Sequence, residues 1–181
     1  MKKKTLALVL AMVLLVVGVA AGTLAWLTAR SDRIVNTFTT SDIKVTLEET
    51  TADYKMVPGF EISKDPKATV KAGSEDCFLF VKLEKSNDFD SFLTYEVAEG
   101  WTALEGVDGV YYRKVMAANA DQSFDVLKGS KVTVKGTVTK TMMEGLTDET
   151  LPKLTVSALA SQLYKSAGVE FTPTEAWANI Q

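Results

Sequence analysis

A period of two in the apolar residues near the middle of the chain limits the fold more than any other feature. In Cys77-Phe78-Leu79-Phe80-Val81-Lys82-Leu83-Glu84 the odd positions are all apolar, while the even positions change from aromatic to charged. Successive side chains of a strand point to opposite faces, so a period of two predicts a central β-strand that runs out towards solvent. Segments 43–48 and 132–139 alternate in the same way and predict strands with one wet face.

Turn-forming clusters separate further segments that favour strands. Pro58-Gly59 is one such cluster, and Gly106-Val107-Asp108-Gly109 is typical of a hairpin turn. About eight short strands at this spacing predict an all-β fold, a β-sandwich of the jelly-roll or immunoglobulin-like kind. We expect it to form a single domain over residues 26–181. The additional strands are predicted at 68–72, 93–97, 110–116, 123–127 and 154–160.

Helix is predicted mainly at the end of the chain. Thr172-Pro173-Thr174-Glu175 supplies a capping threonine, a proline at the first helical position and a glutamate three residues after the cap. This capping box predicts a short C-terminal helix, in which Trp177 and Ile180 share one face and can pack on the sandwich. A second helical turn is expected within residues 142–150.

The first 25 residues predict a signal helix. Three lysines follow Met1, and an apolar run without charge then extends from Thr5 to about Leu27. Small residues crowd the end of this run, which predicts cleavage between Ala25 and Trp26. The alternative is a retained transmembrane anchor, because about 20 apolar residues can span a bilayer. In both cases the remainder is expected outside the cytoplasmic membrane. Only the leader contacts the membrane, either before its cleavage or as the retained anchor.

Charge and composition exclude several functions. Without residues 1–25 the formal net charge changes from −3 to −6, which argues against nucleic acid as a partner. The chain has no histidine, so histidine zinc sites, Ser-His-Asp triads and Cys-His dyads are excluded. The single cysteine, Cys77, is expected to be a buried hydrophobe. We therefore predict no catalytic residue, metal site or cofactor, and interpret Asn87-Asp88-Phe89-Asp90 as a solvated turn.

Aromatic residues provide a second functional hypothesis. Trp101 and the Tyr111-Tyr112 pair could form a platform for a glycan or protein ligand at the cell surface. The two tyrosines are adjacent in a predicted strand, so one ring belongs on each face of the sheet. This placement favours packing within the sheet over a ligand platform.

Several short motifs follow one another in a fixed order along the chain. They are Gly22-Thr23-Leu24-Ala25-Trp26-Leu27-Thr28, Asn36-Thr37-Phe38-Thr39, Val57-Pro58-Gly59, Lys64-Asp65-Pro66 and Gly73-Ser74-Glu75-Asp76-Cys77, and the ending from Leu154 to Trp177. In this order they resemble the TasA/camelysin family of SipW-dependent exported proteins of Gram-positive bacteria. The resemblance touches most of the chain after the leader.

This resemblance implies a jelly-roll protein secreted to the cell surface or biofilm matrix after cleavage by a SipW-like signal peptidase. It also implies assembly with itself or a related matrix protein, in which the mature N-terminal strand of one subunit inserts into the next. Residues 26–48 are the leading strand region, and its candidate anchors are the large apolar residues Trp26, Leu27, Ile34 and Phe38.

Two alternatives accompany that expectation. The leading strand can instead fold back into its own sheet, with equal support from the sequence. The resemblance also raises a camelysin-like metallopeptidase activity, but a peptidase zinc site would have to be built here without histidine.

Overall fold

A computed structural model describes residues 42–50 and 56–181. The expected signal helix, the Ala25–Trp26 cleavage site and the four anchors Trp26, Leu27, Ile34 and Phe38 lie outside the described residues. The regular secondary structure of the described residues is mostly strand. The strands are β1 (Val45–Glu48), β2 (Glu61–Ser63), β3 (Lys67–Val70), β4 (Cys77–Lys85), β5 (Leu93–Thr94), β6 (Thr102–Ala103), β7 (Val110–Val115), β8 (Gln122–Asp125), β9 (Lys131–Val134), β10 (Leu154–Gln162), β11 (Tyr164–Ser166) and β12 (Val169–Glu170). The short helices are α1 (Phe89–Phe92), α2 (Lys140–Glu144) and α3 (Pro173–Ala178), with a 3-10 turn at Lys128–Ser130.

The strands form antiparallel sheets that pack into an all-β sandwich, as predicted. The central sheet has the order β10-β4-β7-β6, the front sheet β1-β3-β8 and the side sheet β2-β9-β5, while β11 and β12 form a hairpin. In the central sheet β4 pairs along its length with β10 and with β7. This central position explains why the first five residues of β4 are all buried.

The interior core lies between the central sheet and the other two sheets. Its buried residues come from alternate positions of β4, from strands β3, β7 and β9, and from the loop that follows β8. They are Ala68, Val70, Cys77, Leu79, Val81, Leu83, Val115, Val126, Leu127 and Val132. The odd positions of the 77–83 repeat therefore face inwards, as the alternation predicts.

The opposite face of the central sheet is also buried, because the C-terminal segment covers it. Phe80 and Trp177 pack with their ring centroids 5.2 Å apart, in a cluster that includes Phe78 and partly buried Ile180. The capping box is present: Thr172 Oγ1 accepts a hydrogen bond from the Glu175 amide at 3.2 Å, and Glu175 Oε2 accepts one from the Thr172 amide at 2.8 Å. Both predictions about this helix are confirmed.

The hairpin prediction for residues 106–109 is also confirmed. Strands β6 and β7 pair on either side of this turn. Gly109 has a φ of +72°, and a Cβ at this position would lie 2.5 Å from the carbonyl oxygen of Leu83. The turn packs directly against β4, so only glycine fits there.

Other predictions needed correction. The solvated turn predicted at residues 87–90 is limited to residues 87–88, because α1 begins at Phe89. Phe89 is 1% exposed in a third core with Phe92, Leu93, Val134 and Val138. The strand predicted at 132–139 ends at Val134, since Val138 turns back into that core. The strand predicted at 93–97 ends at Thr94, after which Val97 makes an isolated bridge to Leu127. The helical turn expected within 142–150 lies at 140–144, where Thr139 is its N-cap.

Candidate functional site

The outer edge of β10 is the longest free strand edge that the structure describes. All nine residues of β10 pair with β4, from Leu154 opposite Lys85 to Gln162 opposite Cys77. Within residues 42–50 and 56–181, no strand pairs with the other side of β10. The unpaired N–H and C=O groups of such an edge can form hydrogen bonds with an added strand.

Core-facing side chains are incompletely covered along this edge. Val156, Ala158 and Ala160 point towards the interior core but are only partly buried. The small side chains of Ala158 and Ala160 leave more room than a leucine or valine would at these positions. The edge therefore combines free backbone groups with accessible apolar surface.

Strand β1 lies at the same edge of the sandwich, because its Cα atoms approach those of β10 within 8 Å. It pairs with β3, from Val45 opposite Val70 to Glu48 opposite Lys67. This pairing confirms the strand predicted within residues 43–48, whereas the fold-back alternative concerns residues 26–40 and stays a prediction. Residues 26–41 lie outside the described part of the chain.

A cleft of about 390 Å³ opens at the start of β10. We call it the edge cleft. Its walls come from the side sheet, from α1 and from the segment that leads into β10. The lining residues are Met56, Ile62, Lys64, Phe89, Leu93, Val132, Leu151, Pro152, Lys153 and Leu154. Apolar clefts of roughly 300–1,000 Å³ with a few polar groups are typical of binding sites.

A partly buried ion pair joins the edge cleft to the end of β1. Lys64 is 9% exposed, and its Nζ lies 2.8 Å from Oε1 of Glu49, the residue after β1. A buried charge is costly without its partner, so this pair fixes the chain beyond β1 beside the cleft. The adjacent Asp65 accepts hydrogen bonds from the side chain and amide of Thr50, which hold the pKa of Asp65 below its usual value.

The structure does not bring Trp101, Tyr111 and Tyr112 together on one face of the central sheet. Trp101 Nε1–H donates to the carbonyl of Asp125 at 2.8 Å. Tyr111 packs on the interior core and Tyr112 on the opposite aromatic cluster, so the two rings lie on different faces as predicted. Their surfaces are engaged in packing, which removes the main structural support for the platform hypothesis.

Cys77 has the environment of a structural thiol. It is 0% exposed, and burial raises its pKa to about 11. A thiol that stays protonated near neutral pH is a poor nucleophile and a poor metal ligand. Among the described residues, no three Asp, Glu or Cys side chains lie close enough together to hold a metal ion.

Comparisons with family models, with curated proteins and with solved structures found no match to this chain. In the part of the chain that the structure describes, no helix has the length and apolar character to cross a membrane. The sequence motifs and the geometry of the β10 edge are therefore the features that bear on function.

Proposed function

We propose that this protein is an exported, non-enzymatic structural protein of the cell surface or biofilm matrix. Its copies join when residues 26–40 of one copy add as a strand to the β10 edge of the next. The observation that carries this proposal is the nine-residue edge of β10, which has no pairing strand among the described residues and has an apolar cleft at its start. Strand addition obtains affinity from main-chain hydrogen bonds and register from side chains that enter pockets.

The leading segment has a pattern that suits this edge. In an extended strand Ile34 and Phe38 lie on one side, because they are four positions apart. The edge cleft is large enough for one bulky side chain, and Trp26, Leu27, Ile34 and Phe38 are the candidates. Ala158 and Ala160 provide additional room along β10.

Export is supported by the leader and by the ordered motifs that resemble SipW-dependent proteins. We propose cleavage between Ala25 and Trp26 by a SipW-like signal peptidase, which frees the leading segment. Contact with the membrane is then limited to the leader before cleavage. The natural partner is a second copy or a related matrix protein.

The lack of histidine in the whole chain supports a non-enzymatic role over a camelysin-like peptidase. Buried Cys77 offers no alternative nucleophile. Casein hydrolysis that a chelator abolishes and zinc restores would instead support the peptidase.

Light scattering and negative-stain electron microscopy of residues 26–181 test the assembly. We expect the apparent mass to rise with protein concentration and fibres to be visible, and we expect neither when residues 26–38 are deleted. The compact unit that holds the sandwich begins at Thr40, so the deletion leaves that unit whole. A protein that stays monomeric over a wide concentration range, with or without residues 26–38, would overturn the proposal.

Matched substitutions distinguish a charge placed in the proposed interface from the same charge placed elsewhere on the protein. Phe38→Asp should prevent assembly, whereas Thr37→Asp, on the other side of the strand, should weaken it much less. Leu151→Asp places a charge at the edge cleft and should also prevent assembly, whereas Met116→Asp, outside the cleft lining, should not. Leu151 and Met116 are 39% and 53% exposed, so neither change disrupts a core. Equal effects within each pair would argue against this interface.

A further inference from the structure

An arginine that packs against two aromatic rings lies at the opposite edge of the sandwich, between β6 and β8. The guanidinium carbon of Arg113, on β7, lies 3.8 Å from the ring centroid of Phe124 on β8 and 5.3 Å from that of Trp101. Trp101 also donates a hydrogen bond to the carbonyl of Asp125 and so links the central sheet to the front sheet. We call Trp101, Arg113 and Phe124 the arginine stack.

Arg113 has no anionic partner in the described residues. Lysine supplies the cation in every ion pair found there, and none of these pairs includes Arg113. Its Nε is buried without a hydrogen-bond partner. Burial lowers the pKa of Arg113, which reflects the cost of holding this charge away from water.

Arg113 is only partly buried, and the backbone at Gly100 lies close to its terminal nitrogens. Gly100 has a φ of +83°, and a Cβ there would lie 3.0 Å from Nη2 of Arg113. A larger residue at position 100 would therefore crowd the terminal nitrogens. Phe124 and Trp101 lie against the guanidinium, but aromatic rings cannot accept its in-plane N–H groups as a carboxylate can.

We infer that the arginine stack binds the carboxylate of an aspartate or glutamate side chain in an extended segment of a partner protein. The planar guanidinium donates two parallel hydrogen bonds to a carboxylate, and flanking aromatic rings restrict its orientation. The strands β6 and β8 that frame the stack are both at the ends of their sheets in the described residues. Their free backbone groups suit an extended peptide that presents the acidic side chain.

A carboxylated sugar has less support at this position. Sugar rings bind proteins by stacking on open aromatic faces, but Trp101 and Phe124 already face Arg113. The proposed peptide needs only the edge of the guanidinium and the adjacent strand edges. These contacts therefore favour an acidic peptide over a carboxylated sugar as the ligand.

Two peptides that differ only in charge test the inference on the unchanged protein. The probes are dye-labelled Thr-Val-Glu-Val-Thr and its isostere Thr-Val-Gln-Val-Thr, both with blocked ends, titrated against the purified full chain in mild detergent. Fluorescence anisotropy should show at least about tenfold tighter binding of the glutamate peptide, because hydrogen bonds to a charged partner are the stronger ones. Equal affinities, or no binding of either peptide, would overturn the inference.

A substitution locates the binding at the stack. Arg113→Lys keeps a positive charge and an aliphatic stem but removes the two-pronged donor, so it should reduce the glutamate preference at least fivefold. Lys140→Gln, on exposed α2, is the matched control and should leave the preference unchanged. Circular dichroism checks that both variants are folded. An unchanged preference in a folded Arg113→Lys protein, or binding of polygalacturonate without binding of the glutamate peptide, would contradict the assignment.

Discussion

At the scale of single residues, burial determines the chemistry of Cys77. Desolvation, followed by the negative charge of Asp76, raises its pKa from about 9 to about 11. We therefore expect Cys77 to resist iodoacetamide at pH 8 in the folded protein and to react quickly in urea. Mass spectrometry of the alkylated product checks this, and rapid alkylation of the folded protein would contradict it.

The same shift in pKa has a consequence for stability. Above about pH 9 the unfolded thiol loses its proton while the folded thiol keeps it, so the unfolded state gains stability as the pH rises. The contribution of Cys77 to folding is thus complete below pH 9 and is lost as the pH rises towards 11. Cys77→Ala should therefore remove the fall in the free energy of unfolding between about pH 9 and pH 11 that urea titrations measure.

Thr172 provides a local test of the C-terminal cap. Thr172→Ala should lower the free energy of unfolding by about 1 kcal/mol, because the cap hydrogen bond to the Glu175 amide is lost. Thr174→Ala, in the same turn but outside the cap, is the control and should have little effect. Urea denaturation measures both, and equal losses would show that the cap is not responsible.

Glu175 adds a pH dependence to this cap. The Thr172 amide, then Lys165 and the Thr172 hydroxyl, lower its pKa through hydrogen bonds. A carboxylate with a lowered pKa stabilises the folded state above its unfolded pKa, and this contribution disappears as the pH falls. Glu175→Gln should therefore be destabilising at pH 7, and its difference from the unchanged protein should shrink below about pH 4.5. A difference that stays constant with pH would argue against this role.

At the scale of elements, α3 matters because it covers the second face of the central sheet. Trp177 is 7% exposed and packs on Phe80. Trp177→Ala should lower the free energy of unfolding by about 3 kcal/mol, through lost burial and a residual cavity. Ile180→Ala, at a partly buried position of the same cluster, should cost distinctly less. Urea unfolding followed by circular dichroism would contradict this packing if both changes had the same small effect.

The elements that sequence could predict are those with a complete local signal. The alternation of residues 77–84 and the capping box at Thr172 each span enough residues to show a period or a paired contact. Strands β6 and β12 have two residues each, which is too short for any period. Their pairing partners determine them, so they become visible only in the folded chain. Alternation also misled at Val138, whose apolar side chain belongs to the core beside α1 and not to a longer strand.

The candidate site was less predictable than the fold for a related reason. The edge cleft brings together Met56, Phe89 and Leu154, which are far apart in the sequence. Nothing in the local pattern around Lys64 or Arg113 indicates burial, since both are charged residues next to strand-like segments. Only the assembled sheets show that Lys64 is paired with Glu49 and that Arg113 is stacked without an anion.

At the scale of the whole molecule, the sandwich has two different edges. Within the described residues, the edge at β10 offers a long strand without a pairing partner and an apolar cleft, whereas the edge at β6 and β8 carries the arginine stack. In the assembly that we propose, the leading segment of one subunit joins the β10 edge of the next head to tail. Such a contact would generate a filament unless the rotation between copies forms a ring.

Hydrogen exchange of β10 tests the central claim most directly. In the protein of residues 26–181, alternate backbone amides of β10 point away from β4. These amides should exchange slowly at high protein concentration and quickly at low concentration. The same amides should exchange quickly at every concentration when residues 26–38 are deleted. Protection that does not depend on concentration would show that the leading segment folds back onto its own sheet, and exchange that is always fast would show that no strand is added to β10.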